Sequence, residues 1–152
     1  MIKLHIKGIL LDENTGEPEV MLSTEDESYS FSINIGPAEA NAIIIALEKI
    51  KTPCPLMYDL FIRFLTQHGF KIESLEIYAF IENKYYSRLW YKKGLKRYNM
   101  EIRPSDGLAL VVRLNIPIYL PKGLLLMHPD LQLSIDNKVI YKDCPASFGL
   151  NP

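Results

Sequence analysis

Apolar and polar residues alternate along much of the chain with the two-residue period of half-buried β-strands. The alternation predicts six strands in two groups of three, joined within each group by short polar turns: residues 2–11, 19–23, 29–35, 70–80, 85–91 and 95–102. Short turns of this kind connect antiparallel neighbours. We therefore expect the strands of each group to pair in consecutive order.

Two amphipathic helices are predicted between the strand groups. The first has Gly36 as its cap and Pro37 as its first residue, an order that is favoured at helix starts. The second runs from about residue 56 to residue 68 and stops at Gly69. Apolar residues at helical spacing give each helix a core face: Ala40, Ile43, Ile44, Leu47 and Ile50 in the first, and Leu60, Phe61, Phe64 and Leu65 in the second.

The stretch at residues 101–120, EIRPSDGLALVVRLNIPIYL, predicts a third helix and carries the densest information in the chain. Ser105 is the expected N-cap, and Asp106 falls in the first turn, where the helix dipole favours an acid. Residues 108–112 are apolar without interruption, which predicts a buried helix. Asn115 can adopt the left-handed conformation that ends a helix.

These elements predict the α+β class, with a mostly antiparallel sheet and about three helices packed on it. A short strand at residues 118–120 and a last hairpin at residues 131–135 and 138–141 complete the set. We expect one main domain over residues 1–127. The C-terminal hairpin and tail, residues 128–152, are expected to be part of the same globule.

Composition narrows the function classes without choosing one. The 152 residues carry a net charge of −1, which argues against a chain-wide nucleic-acid surface but allows a local one.

No apolar run has the length of a signal peptide or of a membrane span, so we expect a cytoplasmic protein that does not contact membranes. Cys54 and Cys144 lack metal-ligand spacing and are expected to be reduced thiols.

Three acids occupy equivalent positions in the predicted helices, because Glu39, Asp59 and Asp106 each fall in a first turn. The helix dipole alone could explain acids at these positions. If the helix starts converge, the three carboxylates could instead hold Mg²⁺ or Mn²⁺, and such an ion could activate water for phosphodiester hydrolysis. The sequence leaves both explanations open.

Arg103 lies just outside the start of the third helix, and Arg113 follows Asp106 by seven residues. An arginine beside the Ser105–Asp106 helix start could hold a phosphate group. Arg103 is therefore a candidate catalytic residue, together with the three acids, and Ser105 and Arg113 are candidate substrate-binding residues. The alternative is that Arg103 pairs with a neighbouring carboxylate and orders the turn.

A basic hairpin at residues 84–98 is the strongest local nucleic-acid signal, with six basic residues and no acid. Positive charge contacts phosphates, and flat rings stack on unpaired bases. The candidate substrate-binding residues in it are Arg88, Trp90, Lys92, Lys93, Lys96 and Arg97. The alternative is a solvated hairpin. The acidic region at residues 12–30 could pair with a basic partner surface, including this hairpin across a subunit interface.

The stretch at residues 101–120 resembles the signature of the bifunctional nuclease domain family. The matching residues are Arg103, Pro104, Ser105, Asp106, Arg113, Pro117, Ile118 and Tyr119. An upstream segment matches at Glu39 and Ala40, and a second one at Pro55, Leu56 and Asp59. The family's arginine, threonine and histidine in that second segment are here Cys54, Met57 and Tyr58, and Glu101 and Ile102 replace an Asp-Ala pair.

The resemblance implies DNase and RNase activity, with DNA or RNA as the partner and a homodimer as a plausible assembly. A family mechanism that used the histidine as a proton shuttle would fail at Tyr58, because tyrosine is a poor base at neutral pH. A non-catalytic module that binds nucleic acid or protein, and a binder of small anions, are therefore the alternatives to a metal-assisted nuclease.

Overall fold

The structure, a computed structural model, describes residues 1–126 and the two residues of a last strand. In chain order its elements are β1 (Ile2–Leu11), β2 (Pro18–Thr24), β3 (Tyr29–Asn34), α1 (Pro37–Leu47), α2 (Met57–Gln67), β4 (Phe70–Ile81), β5 (Lys84–Lys93), β6 (Lys96–Ile102), α3 (Pro104–Leu114), β7 (Ile118–Leu120), α4 (Lys122–Leu126) and β8 (Gln132–Leu133).

The strands of the described residues form one eight-stranded sheet in the order β6-β5-β4-β7-β1-β2-β3-β8. The two predicted groups are its two halves, β1–β3 and β4–β6, and each is antiparallel throughout. Strand β7 joins the halves, because it pairs antiparallel with β1 and parallel with β4. The α+β class and the mostly antiparallel sheet are confirmed, and α4 is a fourth helix that the sequence pattern did not predict.

The core lies between one face of the sheet and the helices, with α3 at its centre. Five consecutive residues of α3, from Gly107 to Val111, are buried. Gly107 lets the helix approach the sheet closely, since a Cβ atom there would lie 2.5 Å from Cδ1 of Leu75. Leu75 and its cross-strand neighbour Leu89 are fully buried on this face. Successive side chains of a strand point to opposite faces of the sheet. The residues next to Leu75 and Leu89 in their strands therefore point to the other face, which we call the open face.

The helix ends show which local signals were decisive. Helix α1 begins as predicted, with Gly36 at the cap position and Pro37 first. The left-handed stop of α3 is also confirmed, because Asn115 has φ 52° and ψ 45°. The prediction of Ser105 as N-cap was wrong. Pro104 already stands inside the helix, where its fixed φ is favourable, so the cap position moves back to Arg103.

Two predicted core faces were partly wrong. Helix α1 ends at Leu47, so Ile50 lies beyond it and is 53% exposed. Helix α2 buries Leu65 only, while Leu60 and Phe64 are 45% and 59% exposed. The apolar stripe of α2 is therefore wider than the surface that the rest of the described chain covers.

Part of the predicted last hairpin lies outside the described residues. Of residues 131–135 and 138–141, only Gln132 and Leu133 are described, and they pair antiparallel with Ser30 and Tyr29. No helix in the described part of the chain has both the length and the apolar character that a membrane crossing requires.

Replacement of Asn115 by valine should lower the free energy of unfolding by about 1–2 kcal/mol, because a β-branched residue is strained at positive φ. Asn115→Gly should be neutral or stabilising, since glycine adopts this conformation freely. Asn99→Val, at an exposed strand position, is the matched control and should change stability by no more than about 0.5 kcal/mol. Urea unfolding measures all three, and equal stability of Asn115→Val and wild type would contradict the prediction.

Candidate functional site

The starts of the first three helices converge. Arg103 at the cap position of α3 contacts Glu39 in the first turn of α1, and Asp106 in the first turn of α3 contacts Tyr58 at the start of α2. We call Glu39, Tyr58, Arg103 and Asp106 the helix-start cluster. The cap residue before each of the three helices has an extended backbone, so the chain changes direction sharply where it enters each helix. These entries bring side chains together that are far apart in sequence.

Arg103 links two of the carboxylates. Its Nε donates to Oδ2 of Asp106 at 2.8 Å, and its Nη2 donates to Oδ1 of Asp106 at 3.3 Å. The same Nη2 also donates to Oε1 of Glu39 at 3.2 Å. The hydrogen bonds to Asp106 raise the pKa of Arg103 above its ordinary value. Because the Arg103 side chain is 69% exposed, these ion pairs add little stability, but they fix the direction of a solvent-facing guanidinium.

Tyr58 completes the cluster from the third helix. Its hydroxyl donates to Oδ1 of Asp106 at 2.9 Å. Partial burial and this hydrogen bond raise the pKa of Tyr58 to about 12, so the phenol is neutral at physiological pH. Sequence reasoning treated Tyr58 only as the substitute for a histidine. Tyr58 lies next to Asp59, a candidate site residue in the first turn of the same helix. That position was the sequence signal that could have identified Tyr58 as a site residue.

Asp59 is held away from the cluster by the second arginine. Nε of Arg113 donates to Oδ1 of Asp59 at 3.1 Å, and Nη1 of Arg113 donates to the carbonyl of Ala109 at 2.9 Å. The other oxygen of Asp59 accepts the backbone N–H of Leu56 at 3.0 Å, at the start of α2. The Arg113 side chain is only 8% exposed, and its guanidinium lies 5.0 Å from the centre of the Tyr58 ring. This pair therefore fixes α2 against α3.

The donor set does not fit the predicted three-carboxylate metal site. Within the described residues, no group of three or more His, Cys, Asp and Glu side chains is arranged to hold a metal ion. A guanidinium lies between Glu39 and Asp106, and Asp59 is paired with a different one. Binding of Mg²⁺ or Mn²⁺ stays a prediction.

A pocket of about 680 Å³ opens beside Arg103, at the start of α3. We call it the α3-start pocket. Its lining combines the end of β3, the turn between β4 and β5, and the start of α3: Ser32, Ile33, Asn34, Phe80, Asn83, Lys84, Tyr85, Arg103, Pro104 and Ser105. Among the residues that the structure describes, the lining includes two cations and no acid. Ser105, predicted to bind substrate, lies in this pocket, whereas Arg113 does not line it.

Most of the predicted substrate-binding side chains of the basic hairpin point to the open face of the sheet, away from the helices. The hairpin's side chains Arg88, Trp90, Lys92 and Arg97 alternate along β5 and β6 with residues of the helix-facing side, of which Ser87 and Leu89 are buried. Arg88 and Trp90 both donate to Glu76, at 2.7 and 2.6 Å. These contacts belong to the open face, so the sheet separates them from the helix-start cluster.

Acids of the neighbouring strand neutralise much of the hairpin's charge. Glu73 pairs with Lys92 and with Arg97, each at 2.9 Å. Lys93 and Lys96 lie at the end of the hairpin, over the rings of Phe70 and Tyr98. The sequence signal came from a segment without acids, but strand β4 supplies the carboxylates. A role for the hairpin in guiding a nucleic-acid strand stays a prediction.

The acidic region at residues 12–30 also finds partners within the chain. Lys3 contacts Glu25 at 2.6 Å, and Lys7 contacts Glu27 at 3.7 Å. Both lysines are on β1, which is the neighbour of β2 in the sheet. Part of the acidity is therefore balanced locally.

Comparison with known proteins adds a family and named relatives. The family model described as the bifunctional nuclease domain matches residues 20–128. An uncharacterised protein of Mycobacterium tuberculosis strain H37Rv is 27% identical over 134 residues, which cover 86% of this chain and 80% of that protein. Bifunctional nuclease 2 of Arabidopsis thaliana is 26% identical over 111 residues, 71% of this chain and 33% of that protein. Bifunctional nuclease 1 of the same plant is 23% identical over 148 residues, 95% of this chain and 45% of that protein.

Removal of the Tyr58 hydroxyl should reveal its bond to Asp106. At pH 7, Tyr58→Phe should lower the free energy of unfolding by about 1 kcal/mol, the usual contribution of a partly buried hydrogen bond. The folded-state pKa lies above the ordinary value of 10.0, so this contribution is present below pH 10 and is lost as the pH rises towards about 12.

The stability difference between wild type and Tyr58→Phe should therefore shrink between pH 10 and pH 12 in urea unfolding. Tyr86→Phe is the control, because Tyr86 is an exposed tyrosine outside the cluster. A difference that does not change with pH, or one that Tyr86→Phe reproduces, would show that Tyr58 does not donate to Asp106.

Proposed function

The chain belongs to the bifunctional nuclease domain family, and we propose that it binds nucleic acid at the start of α3 and hydrolyses phosphodiester bonds there. The membership agrees with the resemblance drawn from the sequence. One observation carries the proposal: an exposed guanidinium, fixed by two carboxylates, stands at the rim of a pocket that is lined by cations and polar side chains.

Arg103 is the proposed phosphate-binding residue. The bonds that Arg103 makes within the described residues use Nε and Nη2 and leave out Nη1. A guanidinium has five N–H donors in a planar fork that matches phosphate oxygens, so it can hold two carboxylates and still donate to a phosphate. Because charge builds up on the phosphoryl oxygens during hydrolysis, a donor that is already oriented towards them lowers the barrier.

The carboxylates beside Arg103 are the proposed acceptors for the proton of the attacking water. In this step the water oxygen forms a bond to phosphorus while the bond to the leaving oxygen breaks. The water proton passes to Glu39 or Asp106, and the leaving oxygen takes a proton from a neutral donor. Tyr58 is such a donor at neutral pH, because its raised pKa keeps the phenol protonated.

Cleavage assays with purified protein on single- and double-stranded DNA and RNA test this proposal. Arg103→Gln should lower the rate about a hundredfold or more, as loss of one oriented donor usually does. Arg63→Gln, which removes an exposed cation on α2, should leave the rate unchanged. Each assay is run with Mg²⁺, with Mn²⁺ and with EDTA, which tests the metal prediction directly.

The carboxylates have controls of their own. Asp106→Ala and Glu39→Gln should abolish or strongly reduce cleavage, whereas Glu48→Gln, at an exposed acid just after α1, should not. Cleavage that is the same in wild type, Asp106→Ala and Arg103→Gln would reject hydrolysis at this site and would point to a contaminating nuclease.

A non-catalytic module that binds nucleic acid is the second candidate function. Two observations favour it: Tyr58 stands where the family pattern has a histidine, and each of the three candidate carboxylates is paired with an arginine. Such a module would bind without cleaving. Affinity should then fall steeply with salt, because each neutralised phosphate releases counterions.

In either case Arg103 should contribute one phosphate contact. A plot of log affinity for single-stranded oligonucleotides against log salt concentration should become shallower by about 0.7 in Arg103→Gln. Arg63→Gln should keep the wild-type slope. An unchanged slope in Arg103→Gln would exclude Arg103 as a phosphate ligand in both candidate functions.

A further inference from the structure

The volume and the lining side chains of the α3-start pocket go beyond what a phosphate contact alone requires. Its volume of about 680 Å³ lies within the range of roughly 300–1,000 Å³ in which proteins bind small organic ligands. Two aromatic side chains, Phe80 and Tyr85, and two amide side chains, Asn34 and Asn83, are part of the lining. Flat rings with amides that both donate and accept are the groups that proteins use to hold a nucleobase.

The aromatic part of the lining is held by packing. The ring centres of Phe80 and Tyr85 lie 4.6 Å apart, and Tyr85 also packs against Phe31 in the core, at 5.8 Å. Both residues are partly buried, on strands β4 and β5. A base that enters the pocket would therefore meet a pre-formed apolar surface.

The polar part is placed by a tight turn. Ile81 pairs with Lys84, so the hairpin between β4 and β5 has only two loop residues, Glu82 and Asn83. Both have positive φ, 50° and 60°, as a type I′ turn requires. This turn fixes Asn83 and Lys84 at the mouth of the pocket.

The two cations of the α3-start pocket come from different parts of its lining. Arg103 is at the side next to the helix-start cluster, and Lys84 comes from the hairpin. The described residues of the lining contain no carboxylate, whereas Glu39 and Asp106 approach Arg103 from the cluster. A phosphate bound by Arg103 would then have its own base, or the next one along the strand, within reach of the pocket.

We propose that the α3-start pocket receives one unpaired nucleotide, with its base against Phe80 and Tyr85 and its phosphate on Arg103 and Lys84. This inference rests on the proposed function, and it names the substrate class as single-stranded nucleic acid. A base inside a duplex is stacked and paired, so its stacking and pairing would have to be broken before it could enter the pocket. Single strands avoid this step.

Fluorescence anisotropy of labelled oligonucleotides with the full-length chain provides the test. Three DNA ligands of equal length are compared: a single strand, its duplex, and a single strand of abasic sites. An RNA single strand of the same sequence tells the two sugars apart. The abasic strand keeps every phosphate, so it separates recognition of the base from recognition of charge.

Two pocket variants have matched controls. Asn83→Gly removes an amide from the pocket and keeps the positive φ that the turn needs. Glu82→Gly places glycine at the other turn position, which does not line the pocket, and it removes an acid, so it can only favour an anionic ligand. Lys84→Gln removes a cation from the pocket, and Lys71→Gln removes an exposed one outside it.

Wild type should bind the single strand at least about tenfold more tightly than the duplex or the abasic strand, because only the single strand offers an unpaired base that can stack on the aromatic rings. Asn83→Gly should weaken binding of the single strand severalfold and leave the abasic strand unaffected. Lys84→Gln should weaken both ligands and make their salt dependence shallower. Neither control should weaken binding of the single strand severalfold or make its salt dependence shallower to the extent of Lys84→Gln.

Equal affinity for single strand, duplex and abasic strand would overturn the pocket proposal, and so would an Asn83→Gly variant that behaves like Glu82→Gly. Either result, with an Arg103-dependent salt slope retained, would leave the proposed function standing. If no ligand bound to the protein and Arg103→Gln therefore had no effect on binding, both the pocket proposal and the proposed function would be overturned.

Discussion

Arg103 joins the starts of two helices because its guanidinium faces a carboxylate from each. The contact is possible only because α3 lies directly on the sheet, where Gly107 lets the helix backbone approach Leu75. If α3 were displaced outwards by the width of a methyl group, Asp106 would move with Arg103 on the same helix, but the distance from Arg103 to Glu39 on α1 would change. The close packing of one apolar helix therefore sets the geometry of a polar, solvent-facing site.

Local sequence signals predicted the strands, the start of α1 and the end of α3, because each depends on a few neighbouring residues. The left-handed Asn115 is an example. Predictions that depended on partners from elsewhere in the chain fared less well. Glu73 and Glu76 neutralise a hairpin that contains no acid, and Arg113 takes Asp59 away from the other carboxylates. Pairings between distant segments are decided by tertiary packing, which a one-dimensional pattern does not contain.

The two faces of the β4–β6 half of the sheet treat charge differently. On the open face, arginines and lysines lie against glutamates of the same sheet, and the charges cancel within a layer of side chains. On the helix side, Arg103 is also paired, but it lines a pocket in which the structure describes no acidic side chain. The local surroundings of a cation, rather than the number of basic residues in a segment, therefore indicate where an anionic ligand would bind.

Strand β7 is three residues long and is paired on both sides, with β1 from the start of the chain and with β4 from its middle. The two halves of the sheet can each form from contacts between neighbours in sequence, but β7 must close a loop that spans more than a hundred residues. Closing such a loop costs entropy before the contacts repay it, so joining the halves is expected late in folding. Glu39 follows one half and Arg103 follows the other, so their contact reports on assembly of the whole molecule.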